Sequence, residues 1–394
     1  MSPAVSPSDM DRPAPAGPHP AVEPLPALTS LRFLAAAYVL AFHFAGYELS
    51  RAAMPNAIFL GYSGVTFFFL LSGFILAYNY QRVDLSERPA LARFLRARIA
   101  RVYPVYLLAL AIGLPSFVAW TLKTVPPLQT LMAASAVLAP LGLHAWVPGA
   151  ACALDCPSWS VSTELFFYAA FPLLLPLVLR RPGATALVTL TAWAVGVTLA
   201  ILAWALYAPG LSLIAPTTDA ANLLSQAIKY NPLLRLPEFV AGLLLFALWR
   251  RVRLPVWSLL TGAGVAAAFL VGNVEAIPEV LMHNGLTALV WAPVILAGAQ
   301  IRSGPLTAGW FEFLGRISFA LYLLHVPVYA LVSSLDRILL GGRLAGLPWL
   351  VVGLAALLSL AAATAVHLRV EEPARRRLLR PRARRQAATA LPSA

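Results

Sequence analysis

Long apolar stretches broken by short polar ones dominate this chain from residue 28 onward. They fall at about 28–48, 57–80, 103–121, 164–179, 184–207, 232–249, 254–272, 280–299, 316–335 and 346–367. Most approach the roughly 20 residues that a helix rising 1.5 Å per residue needs to cross a hydrocarbon layer about 30 Å thick. A weaker run at about 127–143 is shorter and interrupted by Pro140, and is expected not to span. The pattern predicts an all-α, polytopic transmembrane helix bundle of about ten spans.

Charge supplies the topology. The loop 81–101 carries six arginines against two acids. With the N-terminus and that loop cytoplasmic, and 127–143 not spanning, Arg180–Arg181, the cluster at 249–253, Arg302, Arg316 and the basic tail all fall on the cytoplasmic side. Both termini are then cytoplasmic. Counting 127–143 as a span throws most of those clusters outside.

Composition agrees: 60% of residues are hydrophobic, 11% are charged and the mean hydropathy is +0.77. The net charge of +13 does not point to nucleic acid, because the arginines flank spanning segments. Residues 1–26 hold eight prolines and almost no large apolar side chains, the composition of a disordered tail. The organisation expected is a tail (1–26), a membrane domain (27–378) and a second, basic tail (379–394).

Candidate chemistry begins in the first span, LTSLRFLAAAYVLAFHFAGY. Eleven steps of about 100° return His43 to within roughly 20° of Arg32, about 16 Å farther along the helix. Both therefore line one face, and ionisable groups at membrane depth are functional by default. The bland alternative is a snorkelling arginine and a packing histidine. Glu164 begins the fourth span on the expected outer side, with His43. Arg235 and Glu238 stand three apart on one helix face, where they can meet an acceptor or pair with each other. Arg98 and Arg101 lie on the cytoplasmic side. Gly61, Gly64, Ser72 and Gly73 in the second span suit close helix packing or the lining of a channel. Cys152 and Cys156 can close a small loop or stay as thiols, and with no convincing histidine partners they give no zinc pattern.

Seven stretches in order are similar to the acyltransferase-3 family of integral-membrane O-acyltransferases: LTSLRFLAAAYVLAFH, GVTFFFLLSGFILAY, RARIARVYPVY, PSWSVSTELFFYAAFP, RLPEFVAGLLL, LGRISFALYLLHVPV and VEEPARR. The resemblance covers about 27–378. It implies transfer of an acyl group, commonly acetyl, from cytoplasmic acyl-CoA (acetyl-CoA) to a hydroxyl of a cell-surface or exported glycan, at the inner (plasma) membrane and without a metal. His43 matches the essential histidine, expected to act as general base, with Glu164 orienting its ring or holding the Trp159–Ser160 segment. Arg32, Arg98 and Arg101 are assigned to the CoA phosphates, which guanidinium forks match. Trp159, Ser160, Arg235 and Glu238 are assigned to the acceptor. His325 takes a structural or binding role. Two alternatives stay open: acylation of a lipid-linked or secondary-metabolite hydroxyl, and transport of an organic anion.

Overall fold

A computed structural model of the chain describes residues 23–379. Both expected tails therefore lie almost wholly outside the described residues. Among the described residues there is no strand; the molecule is a bundle of helices. In chain order the main ones are α1 (Pro26–Glu48), α2 (Gly64–Tyr80), α3 (Arg88–Thr121), α4 (Leu128–Leu138), α5 (Trp159–Arg180), α6 (Pro182–Tyr207), α7 (Asp219–Tyr230), α8 (Pro232–Trp249), α9 (Val256–Gly272), α10 (Ala288–Gly298), α11 (Gly309–Leu335), α12 (Pro348–Val366) and α13 (Glu372–Leu379). Proline opens α1, α6, α8 and α12, where its fixed φ helps and its missing N–H costs nothing.

Nine helical segments among the described residues are long and apolar enough to cross a membrane. At 17 residues, α9 sits at the short end of what spans, and α4, at 11 residues, is too short, as its interrupted run predicts. Large apolar side chains face outward, with Leu190 60% and Leu199 61% exposed on α6. That outward face suits lipid rather than water. Glu23 pairs with Arg302, and Arg101 pairs with Glu371, so the two ends of the described chain and the basic loops gather at one end of the bundle.

The centre is built on close crossings. α2 lies against α8 where Gly73 and Gly242 face backbone: a Cβ on Gly73 would collide with the Phe239 carbonyl, and one on Gly242 with the Leu70 carbonyl. α1 packs on α11, where Gly315 admits the Thr29 carbonyl. In lipid, such small-residue contacts let van der Waals packing hold helices together. Before α10 the helix breaks at Asn284 (φ −108°, ψ 58°) and Gly285 (φ 107°). The break frees carbonyls at membrane depth, where unmade hydrogen bonds are costly. Arg235 donates to the His283 carbonyl, and Trp193 Nε1 donates to that of Asn284 at 2.6 Å.

Candidate active site

Two cavities enter the bundle from opposite ends and meet at Val65 and Tyr322, which line both. The first, about 190 Å³, opens among the arginines. The second, about 790 Å³, contains His43.

Each arginine of the first cavity is held differently. Arg101 donates to Glu371, a fully buried carboxylate that also accepts from His367 Nδ1 at 2.8 Å. Arg98 lies over aromatic faces, its guanidinium carbon 5.9 Å from the Tyr80 ring and 6.0 Å from that of Tyr168. Arg32 projects from α1 toward them. Among the described residues, neither Arg32 nor Arg98 has a carboxylate at ion-pair distance, and the Nε of each is buried without a partner. Two cations without a direct counter-ion leave guanidinium donors available to an anion, even with the Glu164 carboxylate in the same cavity wall.

The sequence reading puts Glu164 beside His43, and the structure corrects this. Trp159 starts α5 and lines the histidine cavity, but Glu164 is five residues on, about 7.5 Å farther along the helix. There it lines the arginine cavity and accepts hydrogen bonds from Ser72 Oγ (3.1 Å) and Tyr168 OH (2.6 Å). Ser160, on the same helix, also lines the arginine cavity and donates to the Pro157 carbonyl at 2.9 Å. Of the two residues assigned to the acceptor on α5, only Trp159 faces the histidine cavity.

Arg235 and Glu238 take the pairing alternative that their spacing offers. They pair with each other at 2.8 Å, 1% and 3% exposed, and line neither cavity. Thr66 donates to Glu238 at 3.2 Å, and Arg235 is committed to the broken helix at His283. Their contacts tie the fold together. Of the small residues on the second span, Gly73 serves packing while Ser72 lines the arginine cavity.

The histidine cavity is lined in part by aromatic rings, including Tyr47, Trp159, Tyr230 and Tyr322, and the Cys152–Cys156 disulfide is part of its wall. Lys229 lies over the Tyr230 ring at 5.2 Å. Asp155 has neither carboxylate oxygen hydrogen-bonded, and burial pushes its carboxyl well above the usual carboxylate range. His43 Nδ1 is 2.9 Å from His325 Nε2, and His325 Nδ1 is 2.6 Å from the Tyr322 carbonyl. Tyr168, Tyr47, Asp155, Lys229 and Tyr322 also line these cavities, and none is marked out by a sequence motif. For Tyr168 a local signal existed, since it stands four residues after Glu164 on one helix face.

The family model of an acyltransferase domain, Acyl_transf_3, matches residues 25–368. The chain belongs to this acyltransferase family. Over 94% of its length the acyltransferase is 29% identical to acyltransferase MdmB of Streptomyces mycarofaciens, covering 96% of that protein. A shorter likeness, 44% identity over 57 residues, links 14% of the acyltransferase to 30% of protein 2 in the picA locus of Rhizobium radiobacter. No solved structure matches the acyltransferase significantly.

Proposed function

We propose that the protein moves an acetyl group from acetyl-CoA, bound at the arginine cavity, to a hydroxyl of a glycan bound in the histidine cavity. The observation that carries this reading is the meeting of the two cavities at Val65 and Tyr322, with the free guanidiniums on one side and His43 on the other. The positive-inside pattern makes the arginine end cytoplasmic, where acyl-CoA is found, and the membrane is then the inner (plasma) membrane. Arg32 and Arg98 bind phosphate oxygens, and Arg101, already paired with Glu371, adds field more than a direct contact. Aromatic walls and the Asp155 carboxyl suit a sugar ring with its hydroxyls. Equally, a cavity of about 790 Å³ with aromatic rings set among aliphatic and charged side chains accommodates a secondary-metabolite hydroxyl compound, and an acceptor panel separates the two.

In the reaction, His43 takes the acceptor's hydroxyl proton as its oxygen attacks the thioester carbonyl. The C–O bond forms, the C–S bond breaks, and the proton passes from the imidazolium to the departing CoA sulfur. The test is CoA release by the detergent-purified protein, comparing wild type with His43→Ala and Arg32→Ala. Loss of release in His43→Ala, with a raised KM for acetyl-CoA in Arg32→Ala, supports the assignment. Equal turnover in all three overturns His43 as base. A wild type that binds no acetyl-CoA redirects the reading to organic-anion transport.

A further inference from the structure

The hydrogen bonds behind His43 fix where its proton sits. A carbonyl only accepts, so His325 Nδ1, 2.6 Å from the Tyr322 oxygen, carries a hydrogen. His325 is fully buried at membrane depth, and among the described residues no carboxylate bonds to it, so its ring is neutral. A neutral imidazole has one N–H, and His325 Nε2 is therefore a bare acceptor. It faces His43 Nδ1 at 2.9 Å. Two lone pairs at that distance repel, so His43 Nδ1 is the donor. In the neutral ring this leaves the lone pair on Nε2, the nitrogen not engaged by His325.

We propose that His325 is a positioning residue that holds His43 as its Nδ1–H tautomer, anchored in turn by the Tyr322 carbonyl, so that Nε2 is ready to accept the acceptor's proton. This rests on the reading of His43 as general base. His325 does the work that the sequence assigns to Glu164. When His43 takes up the proton, its bond to His325 becomes charge-assisted and strengthens. A neutral imidazole provides this without placing an anion in the membrane interior, where a carboxylate in the same position is costly. The neighbouring rings fit a fixed orientation: His43 packs edge-on against Phe42 at 5.2 Å and lies 4.9 Å from the His325 ring.

The test compares wild type, His43→Ala, His325→Leu and His325→Gln for acetyl-CoA turnover and acetyl-CoA binding. Leu keeps apolar bulk but offers no acceptor, whereas the Gln side-chain oxygen reaches the place of Nε2. The expected result is a kcat lower by about 10²- to 10⁴-fold in His325→Leu with KM for acetyl-CoA unchanged. His325→Gln is expected within about tenfold of wild type, because the tautomer is restored. Should the Leu variant fail to fold, as shown by lost acetyl-CoA binding, the Gln variant decides. Activity there supports the proposal, and inactivity with intact binding overturns it. If His43→Ala is inactive while His325→Leu turns over at the wild-type rate, the positioning role alone falls. If His43→Ala itself matches wild type, the general-base reading falls with it.

Discussion

Replacing Arg32 by methionine should weaken acetyl-CoA binding while leaving the empty protein at least as stable. Arg32 donates no hydrogen bond to the described residues and forms no close ion pair with them, and its Nε is buried without a partner. Its guanidinium is therefore free to make a charge-assisted bond to phosphate, worth about 1.5–3 kcal/mol. At 1.4 kcal/mol per decade, losing it weakens binding by roughly 10- to 150-fold. In the unliganded protein methionine fills similar space and removes an unsatisfied polar atom. Because Arg32 is only half-buried, the gain there is no more than about 1 kcal/mol. Calorimetric titration with acetyl-CoA and thermal melting in detergent, with and without ligand, read the two effects separately. Wild-type affinity together with a lowered melting temperature would refute the reasoning, because Arg32 would then be a structural cation and not a vacant anion receptor.

Three further outcomes follow from named contacts. Tyr322→Ala removes the ring between the cavities and should raise acceptor-independent acetyl-CoA hydrolysis, whereas Tyr322→Phe should not; equal hydrolysis in both variants counts against Tyr322 as the partition. Glu371→Ala strands Arg101 and His367, and should cost about 3 kcal/mol of stability; an unchanged melting temperature rules that cluster out as a brace. His144, in the connection before α5, has its pKa pushed down to about 4 by burial, below the unfolded value of 6.5. The unfolded chain thus binds the extra proton first, so His144 lowers stability as pH falls from 6.5 toward 4. The difference between wild-type and His144→Asn melting curves should show that slope, and parallel curves would contradict it.

Much of this was legible in the chain, and the failures share a cause. The spacing of Arg32 and His43 gave one helix face, and the structure sets the two residues in cavities that meet along it. The apolar runs located the spans because lipid demands length and apolarity from each segment independently. Glu164 was misplaced because position along the chain says which end a helix starts from, but not how deep, or toward which neighbour, a residue one or two turns later points. Arg235 and Glu238 had pairing available as a local alternative, and a break 48 residues away decided it. His325 and His43 are 282 residues apart, and no local pattern announces a bond that exists only once α1 lies on α11. Gly315 permits that crossing, but its partner, the Thr29 carbonyl, is a backbone group with no sequence signature.

Tyr322 has its ring between the cavities and its carbonyl on His325, and its hydroxyl donates to the Pro157 carbonyl at 3.1 Å. The main chain at this point cannot swing without disturbing His325 and, through it, His43, so on the proposed reading an acyl group gets past by turning the phenol, which breaks its bond to Pro157. Such a turnstile requires no rocking of helix bundles, the ~μs–ms collective motion on which carriers depend. Acyl length would be policed by the clearance around a single ring.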